Sequence, residues 1–187
     1  MSKFGIGQPV RRVEDQRLIT GKGRYTDDIN LPGQAYGYVL RSPTAHAEIT
    51  RLDIDAAKSA PGVLLVLTGA DLDATIPCLI PITNRDGTER ADPAHPILVR
   101  DEVNYVGDHI AFVVAENRIQ AKDAAELIEV EYEDLPTVAD TAKALAAGAA
   151  QVHPEAPGNL AFDWHFGDEA AVQAAFAKAA NVVKLKL

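Results

Sequence analysis

The spacing of apolar positions changes several times along the chain, and each change marks an element. Tyr36-Gly-Tyr-Val-Leu-Arg-Ser42 forms the first strong strand pattern, introduced by the turn signal Leu31-Pro-Gly33. A second apolar/polar alternation runs from Ala47 to Leu52. Asp55 is expected to cap a short helix through Ala56, Ala57 and Ser59, which Pro61-Gly62 ends. Val63-Leu-Leu-Val-Leu-Thr68 is apolar almost throughout, the pattern of a strand buried on both faces. Thr68-Gly-Ala-Asp71 then has the spacing of a capping box. From Asp73 to His95 the pattern dissolves into Pro, Thr, Asn, Asp and Gly, which predicts a long irregular loop with Asn84-Arg-Asp-Gly87 at its tip. Loops longer than ~12–15 residues are usually functional or mobile.

Periodicity returns at Ile110-Ala-Phe-Val-Val-Ala115, a buried strand. Asn117 is placed to cap a helix, with Gln120 at the reciprocal position. In that helix Ala121, Ala124, Ala125 and Ile128 fall on one face. Period two follows: Ile128, Val130 and Tyr132 point one way, and Glu129, Glu131 and Glu133 point to water. Strand, helix and strand in ~25 residues suggest a crossover unit, right-handed if its strands are parallel. After Leu135-Pro136 the composition turns Ala-rich, from Ala139 to Ala150. A second unit is expected beyond it: a strand near Leu160–Phe166, a cap at Asp168, and a helix with Val172, Ala175, Phe176 and Ala179 on one face. The two units look alike through shared local physics rather than through a repeat. Val183-Lys-Leu-Lys-Leu187 alternates as a last strand.

Composition narrows the function classes. The 187 residues are 47% hydrophobic and 24% charged, which excludes a wholly disordered chain. The net charge of -9 argues against nucleic-acid binding, which needs concentrated positive charge. Charge is uneven: residues 1–25 hold six bases and two acids, whereas residues 101–140 hold two bases and eleven acids. Residues 1–24, with no sustained period, are expected to form an extended arm that wraps a neighbouring surface. No apolar run approaches the ~20 residues of a membrane span. Met1-Ser2-Lys3 also lacks the apolar core of a signal peptide, so a cytoplasmic protein is expected.

Candidate chemistry is sparse. One Cys cannot supply a disulfide, a four-Cys zinc site or a cluster-binding thiolate set, and Cys78 is expected to be a small packing residue. Gly5-Ile-Gly7 and Gly21-Lys-Gly23 have glycines in pairs, but neither follows a strand and opens a helix as a phosphate loop does. They are expected to be bends. The five His, at 46, 95, 109, 153 and 165, show no helical metal-ligand spacing. His46 and His109 sit at strand ends, where a hydrogen-bonded structural role outweighs a catalytic one. Asp27 and Asp28 point apart on an extended segment and are expected to accept backbone hydrogen bonds in a turn. With three Ser and no nucleophile elbow, no catalytic, cofactor-binding or metal residue is assigned in this chain.

The linear order of the motifs carries more. Arg12-Val-Glu-Asp15, then Leu18-Ile-Thr-Gly21-Lys-Gly-Arg-Tyr25-Thr-Asp-Asp-Ile29, resembles the opening of the large subunit of molybdenum hydroxylases, the xanthine dehydrogenase, aldehyde oxidase and carbon monoxide dehydrogenase family. The likeness continues through Arg41-Ser-Pro-Thr-Ala-His46-Ala-Glu-Ile49, Asp55 to Val63, Tyr105-Val-Gly107 and Val130-Glu-Tyr-Glu-Asp-Leu-Pro136, covering most of residues 5–136. It implies an α+β fold: an α/β hammerhead-like mixed sheet with short crossover helices, followed by the start of a second domain. The expected divisions are 1–24 as arm, 25–136 as hammerhead domain, and 137–187 as linker and truncated start of a molybdopterin-binding domain. The resemblance implies a parent oxidoreductase that hydroxylates aldehydes or heteroaromatics, or oxidises carbon monoxide. Its cofactor would be molybdopterin, with [2Fe–2S] and FAD in partner subunits or domains. Asp108 and His109 depart from the family, which shows Gln or Glu and then Pro after Tyr-Val-Gly.

This chain alone is expected to be a non-catalytic scaffold that packs beside the remainder of the molybdenum-binding subunit and docks iron–sulfur and flavin subunits. The alternative is a self-sufficient protein-interaction module on the same fold. A small enzyme using His46, His109 and the loop carboxylates is the weakest reading. Residues 140–187 are expected either to be held less firmly than the core or to form a homodimer through an open strand edge.

Overall fold

The computed structural model describes residues 7, 10–72, 74–77 and 79–185. Gly5, Cys78, Lys186 and Leu187, which entered the expectations above, lie outside the described residues. The elements in chain order are α1 (Asp15–Ile19), β1 (Tyr36–Arg41), β2 (Ala47–Asp53), α2 (Asp55–Lys58), β3 (Val63–Thr68), β4 (Glu102–Val103), β5 (His109–Ala115), α3 (Arg118–Glu126), β6 (Glu129–Asp134), α4 (Thr141–Ala144) and α5 (Glu169–Lys178). The arm is therefore not wholly extended: α1 interrupts it, with the Arg12 Nε–Asp15 Oδ1 pair at 2.8 Å across its first turn.

The α+β class holds, but the single mixed sheet resolves into two antiparallel ones, ordered β1-β5-β3 and β4-β2-β6. β5 has both edges occupied, by β1 and β3, so the strand that follows α3 cannot join it there. β6 pairs with β2 instead, with Leu52 opposite Val130 and Ile49 opposite Tyr132. The β5–α3–β6 unit thus links two sheets rather than crossing over within one.

Two packed layers explain the burial pattern. Against α2 and α3, the first sheet buries Val66, Ala111 and Val113 with Ala57, Ala124, Ala125 and Ile128. A second cluster joins Ala47, Val99, Val103 and Ile110. Leu40, Leu52 and Val130 pack against both clusters, so the two sheets share one continuous apolar interior. Small side chains at Ala121, Ala124 and Ala125 let α3 lie close on the sheet. Asn117 caps that helix as expected, Oδ1 accepting from Gln120 N at 2.9 Å. The reciprocal half differs, because Gln120 Oε1 accepts from Asn117 Nδ2 at 2.8 Å instead of from its backbone.

Three local expectations are corrected. β3 is an edge strand, and its register jumps from Val63↔Ala115 to Leu65↔Val114, leaving Leu64 bulged and, like Leu65, exposed. Asp55 opens α2 rather than capping it, and its N–H donates to Asp53 Oδ1 at 3.1 Å. Thr68 and Asp71 do pair, but only one half of the box forms: Asp71 Oδ2 accepts from Thr68 N (2.8 Å) and Oγ1 (2.9 Å), while Asp71 N donates to the Thr68 carbonyl instead of its hydroxyl, closing a turn that no helix follows.

Beyond β6 the chain has less cover. Asp168 caps α5 as expected, its Oδ1 accepting from Ala171 N at 2.9 Å, but the face with Val172 and Phe176 is exposed. Leu160–Phe166 forms no strand within either sheet, and residues 181–185 have no strand partner. Among the described residues no helix is long and apolar enough to cross a membrane.

Candidate functional site

A concave feature with several polar groups lies where the long loop meets the β4–β5 turn. Pro93, Ala94, His95 and Pro96 form one wall; Asn104, Tyr105 and Asp108 form the other; His153 closes it, around about 270 Å³. Tyr105 OH lies 3.4 Å from His95 Nε2, and the two rings meet edge-on at 6.2 Å. Burial first, and the Asp108 carboxylate second, push the Tyr105 phenol above its ordinary range, so it is a neutral hydroxyl at physiological pH. Asn104 Oδ1 is sealed from the surface and has no hydrogen-bond partner among the described residues.

Asp108, one of the two departures from the family pattern, is only 3% exposed and bonded through both carboxylate oxygens. Its Oδ2 accepts from Asn104 N and its Oδ1 from His109 N, each at 3.0 Å, while its carbonyl accepts from Ser42 N at 2.8 Å. A carboxylate that accepts a backbone N–H on each oxygen shapes a turn, and here it ties Asn104 to His109. Gly107, at φ +99°, supplies the left-handed residue that this turn needs.

His46 holds the other junction. Nδ1 lies 2.6 Å from the Pro136 carbonyl and Nε2 lies 3.1 Å from Glu102 Oε1, with the ring 6% exposed. Pro136 O can only accept, so Nδ1 carries a hydrogen. The ring thereby ties the start of β2 to β4 and to the chain leaving β6. His109 Nδ1 lies 3.3 Å from the Ile97 carbonyl, and His165 Nε2 lies 3.1 Å from that of Gly167. The structure assembles no dyad from His46 and His109; each has a ring nitrogen on a backbone carbonyl.

The remaining singled-out residues have local duties. Asp28 Oδ2 accepts from Tyr25 N at 2.9 Å, as expected of a turn carboxylate, and Asp27 lies 3.4 Å from Arg118. Gly21, at φ +70°, ends α1, where its N–H donates to Leu18 O. What the sequence did not reveal is the His95–Asn104–Tyr105–His153 cleft. Its residues come from three separate segments with no shared motif.

Among the described residues no three His, Cys, Asp or Glu side chains converge as metal ligands would. The cleft's lining does not fit a molybdenum–pterin group either: it holds no Lys or Arg for a phosphate and no thiolate, and its one carboxylate already accepts two backbone N–H groups. Its chemistry is that of a shaped junction.

A family model described as aldehyde oxidase and xanthine dehydrogenase, a/b hammerhead domain, matches residues 20–136. The large subunit of nicotine 6-hydroxylase from Paenarthrobacter nicotinovorans is 41% identical over 180 residues, covering 95% of this chain and 21% of that subunit. The carbon monoxide dehydrogenase large chain of Afipia carboxidovorans is 38% identical, covering 96% of this chain and 23% of that one. The xanthine dehydrogenase molybdenum-binding subunit of Escherichia coli O157:H7 is 36% identical, covering 76% and 19%. Among solved structures, reconstituted CO dehydrogenase from Oligotropha carboxidovorans superposes with a TM-score of 0.68 at 36% identity, over 95% of this chain and 23% of that one. The chain thus spans about a fifth of the length of these relatives.

Proposed function

Because the chain belongs to the aldehyde oxidase and xanthine dehydrogenase family through its a/b hammerhead domain, we propose that it is a non-catalytic scaffold of a molybdenum hydroxylase large subunit. The match of residues 20–136 to that domain carries the reading. In this proposal residues 25–136 are the hammerhead unit, and residues 137–187 are a linker and the start of a molybdopterin-binding region. The parent enzyme hydroxylates an aldehyde or heteroaromatic carbon, or oxidises carbon monoxide, in a cytoplasmic complex. Molybdopterin is held outside this chain, and [2Fe–2S] and FAD belong to partner subunits or domains. The relatives include large and molybdenum-binding subunits and a subunit of a dehydrogenase complex, which supports an assembly of several subunits.

The site geometry agrees with a scaffold. His46 ties β2, β4 and Pro136 together, and Asp108 organises the β4–β5 turn, so the polar groups that sequence motifs single out are used in holding the chain's shape. The test is metal analysis and a visible spectrum of the purified chain. The expected result is no stoichiometric molybdenum or iron and no flavin absorbance. Stoichiometric amounts of any of them would overturn the reading.

A further inference from the structure

We propose that the long loop between β3 and β4 is a docking platform for the segment after the hammerhead unit, with Asn84 as the residue that positions it. Among the described residues, the hydrogen bonds that tie residues 137–185 back to the first part of the chain run to the loop, not to the sheets. Arg85 N donates to Asp163 O at 2.8 Å, and Ala91 N donates to Ala161 O at 2.8 Å. Asp163 N donates to Asn84 Oδ1 at 3.0 Å. Residues 161–163 therefore run along the loop as a short backbone-paired edge, although neither sheet includes them.

Asn84 is built to do this. Its side-chain amide donates to Thr88 Oγ1 at 3.0 Å and to Glu89 O at 2.9 Å, closing the loop's tip, while its oxygen reaches across 79 positions to Asp163 N. One planar group thus shapes the loop and accepts the incoming segment. Gly87, at φ +85°, permits the tight return that brings Thr88 back to Asn84.

The incoming segment is braced to match. Asn159 Nδ2 donates to Ala144 O (3.0 Å) and Ala150 O (2.8 Å), and its Oδ1 accepts from Val152 N at 3.0 Å. Gln151 Nε2 donates to His153 O (2.6 Å) and Ala156 O (2.7 Å). Residues 144–159 are held as one piece, which seats His153 against Pro93–Pro96 and delivers Ala161 and Asp163 to the loop. Directly beyond the clasp, Trp164 and Phe166 stack at 6.0 Å and 11°. The loop therefore fixes where this aromatic pair stands relative to the sheets. Arg85 adds ion pairs at 3.7 Å to Asp163 and Glu169, but between exposed groups these contribute little.

Amide hydrogen exchange of the full 187-residue chain, with Asn84→Ala, Ala91→Pro and Arg85→Ala variants, tests this. Asn84→Ala is expected to speed exchange at Asp163 and Ala91 at least tenfold and to raise acrylamide quenching of Trp164, with β5 amides unchanged. Ala91→Pro removes a donor from the opposite side and is expected to loosen Asp163 and Trp164 in the same way. Arg85→Ala is expected to change exchange less than twofold. The proposal is overturned if Asp163 exchange is unchanged in either of the first two variants. Equal acceleration of β5 amides would also overturn it, because loop and sheets would then open as one unit.

Discussion

Asp71 shows how one side chain can stabilise a turn through its ionised form. Its carboxylate accepts from both the N–H and the hydroxyl of Thr68, and these two bonds hold its pKa below the ordinary carboxylate value. Folding therefore favours the deprotonated group. Its contribution is fully present above the unfolded carboxylate pKa and is lost as pH falls through the depressed folded value. Asp71→Ala is expected to lower the urea midpoint at neutral pH, with the gap to the unmodified chain narrowing in acid. Denaturation series at several pH values check this; a gap that stayed constant into acid would mean that the two bonds do not act through the charge. Asp86, held below its ordinary value by the hydroxyl and then the N–H of Thr88, belongs to the same class of turn carboxylate. The Thr68–Asp71 pairing was legible from its spacing, but the absence of a following helix was not. Three-residue spacing specifies the hydrogen bonds, and what comes next depends on the chain beyond.

β6 and α3 make two element-level outcomes measurable. In the second sheet Glu48 stands opposite Glu133 on one side and Glu102 on the other, a row of three exposed like charges. Like charges directly opposed destabilise a sheet, whereas opposite charges contribute roughly 0.2–1 kcal/mol. Glu48→Lys is thus expected to raise stability by about 0.5 kcal/mol in low salt, less at high ionic strength. Unchanged or lower stability at low salt would show that this row is not a repulsive one. Nearby, Arg51 offsets part of the same face, lying 2.8 Å from Asp53, 3.1 Å from Glu131 and 3.7 Å from Glu129. For α3, Asn117→Ala removes the cap and is expected to cost about 1 kcal/mol by chemical denaturation. A cost near zero would mean that the buried Ala face alone holds the helix end. Both elements were readable in advance, because Ala121, Ala124 and Ala125 repeat at helical spacing and Glu129, Glu131 and Glu133 alternate with Val130 and Tyr132. The partner of each strand was not. Periodicity reports which face is buried, while β5 filling both its edges is a long-range outcome. β4, with two residues, is too short to leave a period at all. The Leu64 bulge breaks the link between an apolar run and burial at β3.

For the whole molecule, two sheets share an apolar interior, while a long loop receives the segment that follows. The family was legible because its motifs occur in a fixed order along residues 5–136, even though each is short. The cleft of His95, Asn104, Tyr105 and His153 was hidden, since its walls meet only after the loop folds back. The bracing amides of Gln151 and Asn159 were equally hidden, because side-chain hydrogen bonds to backbone leave no periodic trace. If the chain is a scaffold, exchanging it into a relative should preserve that relative's chemistry. The decisive measurement replaces the matching 180-residue region of the nicotine 6-hydroxylase large subunit with this chain and compares molybdenum content and substrate preference with the unmodified enzyme. The expected result is a chimera that loads molybdenum and still hydroxylates nicotine as the unmodified enzyme does. A chimera that loads molybdenum fully but turns over nicotine poorly, or prefers another substrate, would place catalytic or substrate-choosing residues in this chain and contradict the scaffold assignment.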